Sequence, residues 1–539
     1  MRSMGLIGTL AFALFRPPAL INGFTGRFIP ALGRTTTLVS TTSLYLASDG
    51  SNPFSSFIGD MASSLMGKTV SSLPQVDKSL ANIDVPSWED IRFQLESLQT
   101  DEERSFRQNI ENGHGIGSPM HKMRLYDETN TEKDIRVTFY RDSASWCPYC
   151  QKVWMTLEEK RIPYRVVKVN MRCYGDKPAS FIRLQPGGQI PVAVIDGRVY
   201  GQSNDILYAL EELFPDKKTL LPPKGKETTA NESLRLERQL FGAWLSWLSG
   251  GSSRRPRDQF IEVLNTVEQT LSVSGPFFLG KDVTMVDMMF APFLERICAS
   301  LLYFKGFQIR VSEGAPTDFP AVNRWFDAME ALPSYRLTKS DYYSHAHDLP
   351  PQLGGCTYEP ASAPYVKAID GERTIDGQQG SWELPLRPNN DGVEPDWKWV
   401  GDEDVARREA VERLSANHGA IVKFASRGAG RKGIPPVSAP LADPNAVSND
   451  AVEGALSLVL QIVCLALLEG TKTQEIPMSD LAAILNEMGG QEYAAGVISS
   501  LAYLRDRVGV PRDMTLPAAK ELRAHINWAI GKILDTQDS

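Results

Sequence analysis

Cys147-Pro148-Tyr149-Cys150 stands between a strand-like run, Ile135 to Tyr140, and a helix-like run, Gln151 to Lys160. No other stretch restricts the fold as much. A strand, a turn with two cysteines three positions apart and a helix open a βαβ unit, with the thiols at the carboxyl end of the strand. A thiol at the first turn of a helix meets the positive end of the helix dipole and several unpaired backbone N–H groups, which favour the reactive thiolate. Cys147 is therefore the candidate nucleophile. Cys150, one turn further on, is a candidate partner thiol.

The hydrophobic pattern extends this unit in both directions. It predicts strand 135–140, helix 147–160, strand 164–170, helix 177–185, strands 191–195 and 198–200, and helix 203–213, which together resemble a thioredoxin-like α/β domain over 134–215. A linker with Pro222-Pro223 follows, and helical periodicity then dominates an all-α region at 227–345. The Pro- and Gly-rich passage within 346–402 reads as an irregular linker. A further, mostly helical region at 403–539 is predicted from helices at about 403–425, 450–469, 477–488, 490–508 and 516–534. With 539 residues, 42% of them apolar, the chain has material for about three packed domains.

Composition narrows the function. Asp and Glu (65) outnumber Lys and Arg (57), so no broad cationic surface for nucleic acid is expected. Six cysteines with a single close pair do not make a disulfide framework and fit a thiol-reducing compartment. From Met1 to Ser48 there is no Asp or Glu, four Arg appear, and Leu6 to Phe15 forms a short apolar core ahead of a Ser/Thr-rich stretch. Residues 1–48 thus read as a targeting presequence, and 49–133 as a linker and N-terminal extension with a polar helix from Trp88 to Asn112. The presequence resembles the bipartite leaders of algae with secondary plastids, which implies plastid targeting; mitochondrial or secreted destinations are the alternatives. The apolar run Gly454 to Leu468 is bounded by Glu453 and Glu469 and reads as a buried helix rather than a membrane span.

Four further motifs follow the cysteines in register: Lys177-Pro178, Gly188-Gln189-Ile190-Pro191-Val192, Gln202-Ser203 at a helix start, and the capping box Thr284-Met285-Val286-Asp287. With them, residues 135 to 335 resemble a glutathione transferase: a thioredoxin-like domain followed by an all-α C-terminal domain, here with an additional helical domain behind it. The resemblance implies glutathione as co-substrate, contacted by Lys177, by the backbone of Ile190 ahead of a cis Pro191, and by Gln202 and Ser203 at the γ-glutamyl end. A helix N-terminus suits that carboxylate, since its N–H groups are free and its dipole end is positive.

Within this superfamily a cysteine in place of tyrosine or serine implies a mixed disulfide with glutathione rather than conjugation. The expected function is therefore a glutathione-dependent thiol transferase or reductase acting on a small-molecule disulfide or oxidised substrate. A non-catalytic assembly protein on the same fold and a conjugating transferase are the alternatives. The Cys-Pro-Tyr-Cys motif matches that of glutaredoxins. The polar N-terminal extension and the tail segment Phe424 to Gly430 resemble the Iota class of photosynthetic organisms. A homodimer is implied by the superfamily, and no metal site is expected.

The remaining features read blandly. His345 and His347 are expected as surface histidines of a loop, and Gly428 to Gly433 as a flexible loop. Cys298 and Cys464 fall in apolar helical runs and read as packing residues, as do Trp244 and Trp247. Cys173 and Cys356 are isolated; Cys173 lies near the expected cleft in sequence.

Overall fold

The computed structural model describes Leu80 and residues 83–114, 118–127, 129–250, 254–387, 393–395, 403–434, 441–487 and 489–536. The expected presequence lies outside the described residues.

Two helices, α1 (Trp88–Leu98) and α2 (Asp101–Asn112), replace the single polar helix expected there. The break has a local cause: Thr100 accepts the Glu103 N–H, and the Glu103 carboxylate returns to the Thr100 N–H, so a new helix starts at Asp101.

A five-stranded sheet follows, built from β1 (Met123–Arg124), β2 (Val137–Asp142), β3 (Tyr164–Val169), β4 (Val192–Ile195) and β5 (Arg198–Tyr200) in the order β1-β3-β2-β4-β5. Between β2 and β3 runs helix α3 (Pro148–Glu159), the crossover that their parallel pairing requires. Helix α4 (Ala179–Leu184) precedes β4, which pairs antiparallel with β2 and turns back into β5. That hairpin closes on Asp196-Gly197, both at positive φ (49° and 82°), the geometry of a two-residue turn whose twist matches its strands. Helix α5 (Ser203–Leu213) completes the α/β domain. From Cys150 to Glu158 every residue of α3 is buried, because the sheet side, α5 and the second domain enclose it from all directions.

The second domain comprises α6 (Glu227–Ser249), α7 (Arg254–Ser274), α8 (Met285–Lys305), α9 (Pro320–Glu330), α10 (Pro333–Arg336) and α11 (Tyr342–Leu353). All of α8 is buried. Its start is pinned by Asp287, whose carboxylate accepts the Thr284 N–H (2.9 Å) and hydroxyl (2.9 Å), the Phe278 N–H (3.1 Å) and the Trp325 indole N–H (3.0 Å). Its end turns at Gly306 (φ 66°), where a Cβ would lie 2.4 Å from the Ala361 carbonyl oxygen. Trp244 and Trp247 are core residues, as expected, with their indole N–H groups on Ser300 and Glu359.

Helix α11 corrects the sequence reading. The expected domain boundary at 345 falls inside it, and His345 and His347 are helical, not loop residues; His345 is wholly buried. Asp341 caps the helix through the Ser344 N–H (3.0 Å), and Pro350 and Pro351 sit in its last turn, so they mark its end rather than exclude it. The passage behind it is irregular except for α12 (Ala363–Ile369) and a short turn ahead of it.

The tail folds as α13 (Glu403–Ala416), α14 (His418–Ala425), α15 (Glu453–Glu469), α16 (Glu475–Glu487), α17 (Gly490–Arg505) and α18 (Leu516–Asp535). It has a hydrophobic core of its own, which also takes in Ile91 and Leu95 of α1. Helices α1 and α2 of the N-terminal extension therefore pack on this body: Trp88 donates to Ser457 (2.9 Å), Gln99 to Glu412 (3.0 Å), and Arg408 pairs with Glu103 (2.9 Å). By length and composition Asp450–Glu469 is apolar enough to cross a membrane, but most of its apolar window is buried in this core. The loop at Gly428 is not free, contrary to expectation. Residues 426–429 form a 3-10 turn, and a Cβ on Gly428 would lie 2.3 Å from the Ser499 carbonyl oxygen.

Several side chains join tail and transferase-like part, among them Ser340 on the Val510 carbonyl, Tyr343 on the Asp506 carbonyl (3.1 Å) and Arg523. Arg523 of α18 lies between the rings of Tyr343 and Trp382, 4.7 Å from each centroid, and donates to Asp341 (3.1 Å) and the Val508 carbonyl (2.9 Å).

Candidate thiol site

Cys147 is the N-cap residue of α3, 8% exposed, at the point where the loop from β2 meets the helix. Pro148 takes the first helical position, where its missing N–H is no loss. Asp142, the last residue of β2, fixes the approach: its carboxylate accepts the N–H groups of Trp146 (2.5 Å) and Cys147 (3.0 Å). Both cysteines are free thiols. Cys150 is 1% exposed, and burial, followed by its hydrogen bond with Cys147, pushes its pKa well above the ordinary thiol value. Cys150 thus stays a protonated thiol hydrogen-bonded to Cys147.

The other expected site residues lie around the same end of the sheet. Val192 stands opposite Tyr140, which sets Pro191 beside the end of β2 from which the cysteine loop leaves; the Ile190–Pro191 bond is cis. Gln202 is the N-cap residue of α5 and Ser203 its first residue. The next residue, Asn204, accepts a hydrogen bond from Lys152 Nζ (2.5 Å), two positions beyond Cys150 on α3. Lys177 precedes α4 instead of starting it as expected, since Pro178 is the N-cap residue. Burial lowers the proton affinity of Lys177, Lys152 and Arg296, and the negative charge of a Cys147 thiolate works against that in all three. Lys152 is pushed down to about 8. Lys152, Lys177 and Arg296 thus each interact electrostatically with the Cys147 sulfur.

Sequence reasoning missed the groups behind the cysteine loop. Arg296 of α8 donates to the Trp146 carbonyl and to Gln151 Oε1 (2.9 Å), and its guanidinium lies 4.8 Å from the centre of the Trp146 ring. Gln151 in turn donates to Glu295 (2.9 Å). Glu295 also accepts the Ser340 N–H (2.8 Å) and faces His345 Nε2 (2.8 Å), while the Trp146 indole N–H donates to His345 Nδ1 (3.0 Å). Because Nδ1 accepts, the proton of the neutral ring sits on Nε2 and points at Glu295. Burial and then Arg296 lower the His345 pKa. Burial would raise that of Glu295, but its bond from His345, the charges of His345 and Arg296 and the Ser340 N–H hold it below the usual range. Asp142, at the end of a strand ahead of a CxxC, was the one member with a sequence signal.

Tyr149, two residues from Cys147, meets Phe293 edge to face (5.6 Å), Phe293 meets Phe241 (5.1 Å), and the Arg238 guanidinium covers both phenylalanine rings. Cys173 is half-buried, accepts from Gln352 (2.6 Å), and is pushed up to about 11 by burial, which leaves it a poor nucleophile. Cys298 and Cys464 are buried packing residues, as expected. Among the described residues no three His, Cys, Asp or Glu side chains gather as a metal site.

Comparison with known proteins bears on this geometry. Residues 146–213 match the family profile described as glutathione S-transferase, N-terminal domain, and residues 253–328 that described as glutathione S-transferase, C-terminal domain. Glutathione S-transferase DHAR2 of Arabidopsis thaliana is 29% identical over 196 residues, 36% of this chain and 84% of the relative. The chloroplastic glutathione S-transferase DHAR3 of the same plant is 26% identical over 36% of this chain and 69% of its own length. Among solved structures, the dehydroascorbate reductase of Chlamydomonas reinhardtii is 24% identical over 39% of this chain and 94% of that chain, with a TM-score of 0.32. The central part of this chain, a thioredoxin-like sheet domain with a helical domain behind it, thus carries matches to both domains of the glutathione S-transferases.

Proposed function

We propose that the chain is a glutathione-dependent thiol transferase or reductase in which Cys147 is the nucleophile. The observation that carries this reading is the setting of one sulfur: Cys147 at the start of α3, its N–H held by Asp142, with a protonated Cys150 hydrogen-bonded to it and the charges of Lys152, Lys177 and Arg296 favouring its thiolate. The relatives by name are glutathione S-transferases, so glutathione is the reductant this fold is built to hold. Its γ-glutamyl carboxylate is assigned to the start of α5 at Gln202 and Ser203, its cysteinyl part to the backbone of Ile190 beside Pro191, and its glycyl end to Lys177.

In the first step the Cys147 thiolate attacks the glutathione sulfur of a mixed disulfide G–S–S–R. The S–S bond breaks, R–S⁻ leaves and takes up a proton, and Cys147–S–S–G forms. A second glutathione thiolate then attacks the glutathione sulfur of that intermediate, giving oxidised glutathione and the free Cys147 thiolate. The net change is G–S–S–R plus one glutathione giving oxidised glutathione and R–SH: one glutathione sulfur goes from thiol to disulfide as the R sulfur goes from disulfide to thiol. Cys150, protonated throughout, donates a hydrogen bond to the departing Cys147 sulfur, which makes the route monothiol. With dehydroascorbate as the substrate, two glutathione molecules become oxidised glutathione and their two electrons and two protons end on the diketone. The extension and tail suit the Iota class, and the presequence suits a plastid enzyme.

Cys147→Ser is the test. Loss of hydroxyethyl disulfide and dehydroascorbate reduction, together with loss of the single glutathione adduct that oxidised glutathione leaves on the wild-type protein, is expected; retained turnover overturns the assignment.

A further inference from the structure

Helix α11 lies outside the two matched transferase segments, which end at residue 328. It nevertheless touches both loops that frame the thiol site. His345, Asp348 and Gln352 follow one another at spacings of three and four, hence along one face of the helix. His345 Nδ1 accepts the indole N–H of Trp146, the residue before Cys147 (3.0 Å). The Asp348 carboxylate accepts the Tyr174 hydroxyl (3.0 and 3.1 Å), and Gln352 donates to Cys173 (2.6 Å), both on the short turn that leads to Lys177. His345 is wholly buried and Asp348 is 1% exposed, so neither bond competes with water.

We propose that α11 is a strut that sets the distance between the two walls of the cleft: His345 is the positioning residue for Cys147, and Asp348, through Tyr174, is the positioning residue for the Lys177 loop. The inference rests on the proposed function and predicts a division of labour. The His345–Trp146 bond fixes the peptide from which the nucleophile projects, so its loss acts on the chemical step. The Asp348–Tyr174 bond fixes the wall that holds glutathione, so its loss acts on glutathione affinity.

The full chain is used throughout. His345→Leu, which removes both ring nitrogens, is expected to lower kcat for hydroxyethyl disulfide about tenfold at an unchanged KM for glutathione. His345→Gln restores most of it, because its amide oxygen and nitrogen have nearly the spacing of the two ring nitrogens and again accept from Trp146 and donate to Glu295. Trp146→Phe, which deletes only the donor and keeps an aromatic ring under Arg296, is expected to repeat the His345→Leu loss. Should His345→Leu not fold, Trp146→Phe decides alone. Tyr174→Phe is expected to raise the KM for glutathione about fivefold with kcat kept.

A wild-type kcat in Trp146→Phe or in folded His345→Leu overturns the strut, as does an unchanged KM in Tyr174→Phe. Deuterium exchange of the Trp146 indole N–H gives a readout free of turnover: protection present in wild type and His345→Gln and absent in His345→Leu is expected, and equal protection in all three overturns the proposal. A wild-type protein that shows this protection but forms no adduct with oxidised glutathione refutes the proposed function and leaves the strut standing.

Discussion

Asp142 and Cys147 are joined by a hydrogen bond from the cysteine N–H to the carboxylate (3.0 Å), and the same oxygen holds the Trp146 N–H (2.5 Å). One side chain at the end of β2 thus satisfies two buried backbone donors of the loop that presents the thiol. Asp142→Ala leaves both unpaired, so a loss of about 2–4 kcal/mol in unfolding free energy is expected. Urea melts of the two proteins measure it; a change below about 1 kcal/mol would show that water replaces the carboxylate.

The thiols are predicted to differ sharply in reactivity. Cys150 lies well above the ordinary range through burial, Cys173 is held at about 11, and Cys298 and Cys356 at about 12. Limiting iodoacetamide at pH 7.5 should therefore label the native protein at Cys147 alone, whereas urea-unfolded chain takes label at all six cysteines. Peptide mass analysis reads both. Cys150→Ser should keep disulfide reduction within about threefold of wild type, since glutathione resolves the intermediate; a loss near that of Cys147→Ser would assign the resolving role to Cys150.

Asp348 carries a pH signature. Burial raises its carboxyl from the ordinary value to about 7, so between about 4 and 7 the folded protein holds a proton that the unfolded chain has released. Its contribution to stability is fully present at the acid end of that window and is lost as pH rises through about 7. Asp348→Asn removes the titration. Relative to wild type, the variant is expected to gain on the order of 3 kcal/mol between pH 4 and pH 8, read from urea midpoints at both pH values. A difference that does not change with pH contradicts the assignment.

Asp287 is expected to be a folding residue with no part in the chemistry. Its four donors come from Thr284, Phe278 and Trp325, none of which lies in the thiol site. Asp287→Ala should cost about 3–5 kcal/mol of stability, while Asp287→Asn, which can still accept, should cost less. Thermal melts with kcat measured well below the transition separate this from a catalytic role, which would lower kcat in protein that is still folded.

What the sequence revealed was what repeats along it. The periods of strand and helix around residues 135–213 located the sheet, and Cys147, Pro191 and Gln202, the candidate site residues, each fall at an element end as their register suggested. The errors lie where burial is polar. Arg141 and Asp142 look like the close of a strand run, yet both are buried in β2; Arg141 is held by the Pro119 carbonyl (2.7 Å), Ser145 (2.8 Å) and the face of Trp154. β1 is two residues long and carries no period at all. His345 looked solvated because its neighbours in sequence are polar and prolines follow; its partners Glu295 and Trp146 lie 50 and 199 positions away, a separation no local pattern encodes. The union of the N-terminal extension with the tail was hidden for the same reason.

The slot that Arg523 fills between Tyr343 and Trp382 bears on how the protein is made. Synthesis runs from the N-terminus, and domains fold as they emerge. Both walls of the slot leave the ribosome long before α18, the last described helix of the chain. We expect the nascent transferase part to wait with two aromatic rings uncovered and Asp341 lacking its guanidinium, a state suited to chaperone capture, until α18 emerges. Ribosome-bound chains arrested before Leu516 should be more protease-sensitive at α11 than released chains; equal sensitivity would mean that α11 settles without α18. On this view α18 acts as a timer: the packing around Tyr343 and Trp382 is settled only once Arg523 has been made.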